Sequence, residues 1–269
     1  MSDQPKAKRT LTWQFLFTLL MFAFMYVPIL ILAIYSFNES RFSSNWTGFS
    51  LRWYDSLLND ARLLSSLRDS LFVALIAVGV SAILGTMMAV GLAKYRFPGK
   101  SLYRGMAYLP LIIPDIAIAV ATLVFLVSVG FSRSIWTIIA AHIVFCLSYI
   151  AVVVSTRLAG LNPHLEEAAL DLGATPVQAF IRVILPELMP AILSGCLLAF
   201  VLSMDDLLIA SFTAGGGANT LPMEIFGRVR TGIKPDINAL SVVLILASGL
   251  LAFASEYLRY RGDQKRLGN

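Results

Sequence analysis

Residues 162–190 read "NPHLEEAALDLGATPVQAFIRVILPELMP", a polar, proline-punctuated run between two long apolar stretches. Its local chemistry predicts two short helices joined by a turn. Asn162 caps the first, Pro163 takes its first helical position, and Glu166 and Glu167 fall in the first turn, where carboxylates complement the helix dipole. Gly173 supplies the stop. Thr175 caps the second helix, Pro176 opens it and Pro186 ends it. Leu165, Ala168, Ala169 and Leu172 recur at helical spacing, so the first helix carries an apolar face. That face lies outside any membrane span and needs a surface to cover it.

The sequence on either side of this loop belongs in a bilayer. The 269 residues are 58% hydrophobic and 14% charged, and the mean hydropathy of +0.77 is far above that of soluble domains. Crossing the hydrocarbon core takes about 20 apolar residues. Six segments meet that length: 13–37, 71–93, 106–130, 135–156, 190–212 and 237–257. They predict an all-α polytopic membrane protein with six transmembrane helices. Residues 1–269 then form a single transmembrane domain, with 157–189 as a loop within it. Lys6, Lys8 and Arg9 precede the first apolar run as in a signal peptide, but the run is too long and no small-residue cleavage site follows, so the helix is read as retained.

The net charge of +5 is placed as the positive-inside rule expects. With the N-terminus inside, most of the 21 basic residues fall on cytoplasmic segments, among them Lys94, Arg96, Lys100, Arg104, Arg157, Arg182, Arg259 and Lys265. Both termini are therefore expected to be cytoplasmic. The charge is accounted for by lipid and topology, with no nucleic-acid partner.

Several motifs fail on inspection. Gly99-Lys100-Ser101 invites a phosphate-loop reading, but position 94, where the first glycine belongs, is lysine. No HExxH, Ser/His/Asp set or paired-cysteine spacing occurs, so neither a catalytic nor a metal site is expected. Cys146 and Cys196 read as small buried hydrophobes. His142 reads as a hydrogen-bonded packing residue within a span, and His164 as a solvent-facing residue at the start of the loop helix. In the first outer loop, 38–69, Trp46, Trp53 and Tyr54 suit an aromatic belt at the membrane surface. The "AGGGAN" run, 214–219, reads as a flexible turn.

Acids inside the apolar segments are the exception that needs a cause. Asp205 and Asp206 sit in "LSMDDLLIASF", 202–212, and each costs about 2.5–3.5 kcal/mol near the bilayer centre on insertion scales. Gly195, Ala199, Ser203, Asp206, Ala210 and Thr213 form one small or polar stripe, so Asp206 points inward. Asp205 shares the apolar side with Val201, Leu208 and Phe212. Asp115 follows Pro110 and Pro114, which disturb the third segment and leave carbonyls without backbone donors. Three carboxylates with bare carbonyls make a cation path, to which Tyr149, Phe145 and Phe212 add aromatic faces. The alternative is that one acid pairs with Arg228 or Arg230, or stays protonated.

The loop then identifies a family. Glu167-Ala168-Ala169, three residues, Gly173, nine residues and Val183-x-Leu185-Pro186 resemble the EAA signature of permease subunits of type I bacterial ABC importers, with Val183 where isoleucine is usual. "YVPILILAIYSFN", "LPLIIPDI", "LSMDDLLIASF" and "TLPMEIFGRVRTGIKPDINAL" resemble the polyamine (spermidine/putrescine) branch, the PotC and PotI type, and "EEAALDLGATP" leans towards its putrescine member. The resemblance implies the MetI-like fold in the bacterial inner membrane and polyamine transport without catalysis. It also implies a coupling helix docked on a cytoplasmic ATPase through Glu166, Glu167, Ala168, Ala169, Asp171, Gly173, Leu185 and Pro186. The partners it implies are a second permease chain of different sequence, two ABC ATPases and a periplasmic polyamine-binding protein. It implies no cofactor on this chain, ATP and Mg being used by the ATPase. Asp115, Asp205, Asp206, Ser203, Phe212 and Tyr149 become the expected substrate path. Two other readings stay open at this point: an ABC permease for a metal or thiamine, and a proton-coupled transporter using Asp115 and Asp206, which lacks the internal repeats usual in such folds.

Overall fold

The structure, a computed structural model, describes residues 7–40, 45–162, 164–231 and 235–250, with side chains of 7–12 and 231 left aside. Pro163 and residues 251–257 of the expected sixth span lie outside the described residues. The chain divides into two compact units, Ala61–Phe226 and the combination of Met1–Asp60 with Gly227–Asn269.

In the terminal unit α1 (Ala7–Tyr35) contains the span Trp13–Tyr35. Its apolar side chains are exposed all round, as expected of a helix solvated by lipid or covered by another chain. Past its end the backbone turns at the buried pair Ser36 and Asn38. Asn38 Nδ2 donates to the Asn45 carbonyl (2.7 Å), Asn38 Oδ1 accepts from Thr47 N (3.1 Å), and Trp53 Nε1 donates to the Asn38 carbonyl (2.7 Å). Tyr54, on α2 (Arg52–Leu58), shares a 2.7 Å hydrogen bond with Ser36. Trp53 and Tyr54 are thus half-buried clasps on the chain's own backbone, and Trp46 is the more exposed aromatic, edge-on to Tyr35. α12 (Pro235–Leu250) is apolar but shorter than a full span over its described length.

The larger unit is built on α3 (Ala61–Lys94), α6 (Ile135–Ala159) and α9 (Leu185–Asp205), which pack on one another. At 1.5 Å per residue the 34 residues of α3 run about 51 Å, well beyond the hydrocarbon core. Its first turns therefore extend outside the bilayer, and the outer loop expected over 38–69 is helical over 52–58 and from 61 onwards. The three helices meet at Ile150, which is fully buried. Gly85 of α3 and Gly195 of α9 both face it: a Cβ on Gly85 would lie 2.9 Å from the Leu147 carbonyl and one on Gly195 3.3 Å from Ile150 Cα. Small residues set this crossing distance, as in membrane helix packing generally.

The third expected segment, 106–130, is not one straight helix. α4 (Lys100–Tyr108), a short 3₁₀ turn to Leu111 and α5 (Asp115–Ser128) bend by 107°. Pro114 is extended at the bend (φ −57°, ψ 137°), and Pro110 and Pro114 supply no donors there. Ser148 Oγ of α6 donates to the Ala107 carbonyl (2.6 Å) and Tyr108 meets Ser155 at 3.2 Å, so α6 holds the bent pair in place.

Pro186 does not end a helix. α7 (His164–Asp171) and α8 (Pro176–Ala179) flank the turn, and a π-helical stretch, Phe180–Ile184, carries α8 straight into α9. The wider π turn brings Pro186 to the first turn of α9, where a missing N–H is tolerated. The fifth span thus begins at Pro176, not near 190, and it stops at Asp205. A short α10 (Leu208–Thr213) and then α11 (Leu221–Thr231) follow. Among the described residues four helices are long and apolar enough to cross a membrane, or five where the bent pair counts as one span, against the six expected over the whole chain.

Candidate functional site

α9 and α10 are separated by Asp206 and Leu207. Asp206 leaves the helix with φ −69° and ψ 119°, ending α9, and its side chain folds forward over the first turn of α10. Ile209 N donates to Asp206 Oδ1 (3.2 Å) and Ala210 N to Oδ2 (2.7 Å), so one residue stops one helix and starts the next. Ser203 is buried on the same face, as are Gly195, Ala199, Ala210 and Thr213. The stripe read from the sequence is a buried face that continues across the break.

His142, on α6, closes this cluster. Its ring is 1% exposed, with Nδ1 2.8 Å from Ser203 Oγ and Nε2 3.2 Å from Asp206 Oδ2, the latter off the line of an ideal hydrogen bond. Phe145 packs on the imidazole at 5.1 Å between centroids and is itself buried. Cys146 sits one turn on, its Sγ 3.7 Å from the Ala199 carbonyl.

The six expected path residues fall into three groups. Ser203 and Asp206 come together, but their polar atoms are engaged by His142 and by α10. Asp205 is exposed at the same break, and Asp115 is exposed at the first position of α5, just past the bend. Among the described residues neither is in an ion pair. Tyr149 and Phe212 are half-buried and border the core around Ile150, on α6 and α10. Arg228, one of the arginines considered as a partner for an intramembrane acid, pairs with Asp60 (2.7 Å) and Asp236 (3.4 Å).

The loop 157–189 is braced by the chain that surrounds it. Asn162 Oδ1 accepts from His164 N (3.0 Å), and Thr175 and Gln178 form a capping box on α8. Gly173 adopts φ +86° and ends α7 with two hydrogen bonds, Gly173 N to the Leu170 carbonyl (2.9 Å) and Ala174 N to the Ala169 carbonyl (3.1 Å). This is the Schellman pattern, which favours glycine. Lys94 reaches from the end of α3 to Glu166 (2.6 Å) and over the Phe180 ring (5.9 Å), and Arg157 holds Glu187 (2.9 Å). Glu167 meets His164 at 2.8 Å on the surface.

The apolar face of α7 divides. Leu165 packs on the core and Ala169 is buried, while Ala168 is exposed and Leu172 is 90% exposed. Leu172 is joined by Val177 and Ile181 as exposed apolar side chains of the same loop. Asp171 and Pro186 are exposed, and Leu185 packs inward. The surface left for another chain thus lies towards the turn and α8, not along the whole face.

The outer "AGGGAN" run is not a loose turn. Gly215 lies so close to the Arg133 and Ser134 backbone that a Cβ has no room, and Thr137 Oγ1 donates to the Thr213 carbonyl (2.8 Å). Asn219 Nδ2 donates to Ser66 (3.0 Å) and Glu224 (2.8 Å), fastening the loop to the outer part of α3.

Several apolar spans, one of them sharply bent, and a braced two-helix loop between spans define a multi-pass permease subunit of the ABC-importer class. Residues 81–267 match the family described as "Binding-protein-dependent transport system inner membrane component", and the chain belongs to that family. It is 45% identical over 262 residues to the "Putrescine transport system permease protein PotI" of Escherichia coli (strain K12), covering 95% of this chain and 93% of that protein. It is 38% identical over 247 residues to the "Spermidine/putrescine transport system permease protein PotC" of Haemophilus influenzae, covering 92% and 96%. A chain of a crystallised bacterial ABC transporter that imports the acidic polysaccharide alginate superposes with TM-score 0.75 at 16% identity, covering 96% of this chain and 99% of that one, which establishes the shared fold. The protein is therefore an inner-membrane transport subunit and not an enzyme, and the proton-coupled reading is set aside.

Proposed function

We propose that this chain is the membrane-spanning subunit that passes a polyamine inward, putrescine in preference to spermidine. It works with a second permease chain of different sequence, two cytoplasmic ABC ATPases and a periplasmic polyamine-binding protein, in the bacterial inner membrane with both termini cytoplasmic. It binds no cofactor; ATP and Mg are consumed by the ATPases. The likeness to the putrescine permease over almost the whole chain carries this reading.

The chemistry of the site is in keeping with it. Asp115 and Asp205 are exposed carboxylates, each at a break in an apolar helix. A diammonium chain gives such acids the cations they lack, and the half-buried rings of Tyr149 and Phe212 offer faces to its methylenes and ammonium ends. Ser203 and Asp206 contribute by holding the break in shape. The coupling role falls to 164–186: closure of the ATPases on ATP moves α7 and α8, the latter continuous with α9, and the Lys94–Glu166 and Arg157–Glu187 ion pairs pass the motion to α3 and α6.

The test is ATP-dependent uptake of labelled putrescine by the assembled complex in proteoliposomes loaded with its binding protein, with unlabelled spermidine as competitor. Saturable putrescine uptake that yields to spermidine only at higher concentration is the expected result. A preference for spermidine overturns the choice of substrate, and transport of neither polyamine overturns the substrate class.

A further inference from the structure

We propose that His142 is a positioning residue of the transport path, holding the α9–α10 break in the form that presents Asp205. The inference rests on the polyamine reading above and extends it to a residue that touches no substrate.

The imidazole lies on α6, yet its two nitrogens contact residues on the final turn of α9 and at the break itself: Ser203 at 2.8 Å and Asp206 at 3.2 Å. Asp206 in turn receives the N–H groups of Ile209 and Ala210. One buried ring therefore ties α6 to the end of α9 and, through one carboxylate, to the start of α10. The two contacts suit complementary roles, Ser203 through a hydrogen bond and Asp206 through a 3.2 Å approach off the hydrogen-bond line. With Nε2 protonated the ring donates towards the Asp206 carboxylate, which only accepts, and Nδ1 accepts the Ser203 hydroxyl proton.

Burial gives the arrangement its leverage. The Asp206 side chain is 9% exposed and Ser203 is buried, so loss of the imidazole leaves the Ser203 hydroxyl without its ring partner and the carboxylate with only the Ile209 and Ala210 N–H groups, in a place with little access to water. The cheapest relief is to move the carboxylate, and that unseats the first turn of α10. Asp205, the last residue of α9, is exposed directly before the extended backbone of Asp206, so a shift of the break shifts the end of the helix that carries it. A phenylalanine fills the same space against Phe145 and offers neither contact, whereas a glutamine keeps an N–H for Asp206.

The experiment compares His142→Phe, His142→Gln and wild type in the assembled complex, recording putrescine uptake, complex yield and ATP hydrolysis stimulated by the loaded binding protein. His142→Phe is expected to assemble and hydrolyse ATP normally but to lose about tenfold or more in maximal uptake, and His142→Gln to recover to within about threefold of wild type. Normal uptake by His142→Phe overturns the proposal, as does equal loss in both variants, which marks a purely steric role. Should His142→Phe fail to assemble, Ser203→Ala and Asp206→Asn decide: the first removes the hydroxyl that meets the ring and the second the charge that faces it, the proposal requires reduced uptake at normal yield, and wild-type uptake by both overturns it. Wild-type complex that carries no polyamine is a separate result, which removes the substrate reading and this proposal with it.

Discussion

Gly173→Val is expected to reduce polyamine uptake at least about tenfold while leaving the protein in the membrane at its normal level. Gly173 holds φ +86°, a region that costs a side-chain-bearing residue about 1–2 kcal/mol and that a β-branched residue hardly enters. No atom lies within 4 Å of where the new Cβ would sit, so the effect is one of backbone strain without a clash. The strain falls on the two hydrogen bonds that end α7 and set its angle to α8. The spans pack elsewhere, around Ile150, and are untouched. Asparagine tolerates this conformation better than other side-chain-bearing residues, so Gly173→Asn is the control expected to retain most uptake. Cell uptake assays with quantified membrane protein check the pair, and equal uptake by Gly173→Val and wild type removes the coupling role from this turn.

Gly85→Val is expected to act on folding instead. Its Cβ would lie 2.9 Å from the Leu147 carbonyl and 3.2 Å from two Ile150 side-chain atoms, and a backbone carbonyl in the middle of a helix has little room to yield. Overpacking at such a site costs about 1–3 kcal/mol, and valine adds two methyls beyond the clashing Cβ. The α3–α6 crossing must open, and the detergent-solubilised permease should melt several degrees lower and be recovered in lower yield. Gly79 and Gly91 lie on the same helix with nothing within 4 Å of a Cβ, so Gly79→Val and Gly91→Val should be nearly neutral. Similar melting of all three variants would show that Gly85 does not set the crossing.

Local chemistry was legible in the sequence, and contacts between distant segments were not. The caps at Asn162 and Thr175 and the stop at Gly173 follow from nearby residues, and the structure has all three. The C-terminal ends of the second and fourth spans also lie close to their expected positions, because the apolar runs there end in charged or polar residues, whereas the helix of the second span starts ten residues before its expected 71. Pro186 misled because a proline after a short helix ordinarily stops it, and the π turn that accommodates it has no sequence signal of its own. The break at Asp206 was hidden for a related reason. The small-residue stripe keeps its spacing from Gly195 to Thr213, so the periodicity reads as one helix although the chain leaves helical geometry between Ser203 and Ala210.

The candidate site shows the same division. The inward direction of Asp206 was readable from spacing, but its occupation by His142, 64 positions earlier, was not. One signal was available: His142, Phe145 and Tyr149 lie at spacings of three and four on α6, so the histidine shares the face of two aromatic residues already chosen. A buried acid and a buried histidine in neighbouring spans make a natural pair, since each lowers the other's cost of burial. The half-exposed face of α7 has a similar cause. Leu165 and Ala169 find cover within the chain, which no count of apolar positions along one helix reveals.

The proposed cation path runs past the exposed carboxylates Asp115 and Asp205 at the two helix breaks, and the most direct test is to remove those charges without removing volume. The measurement is putrescine uptake by the assembled complex carrying Asp115→Asn and Asp205→Asn together, with ATP hydrolysis stimulated by the loaded binding protein recorded in the same vesicles. The account predicts that uptake falls about tenfold or more while stimulated hydrolysis continues. Undiminished uptake by the doubly neutral variant contradicts it.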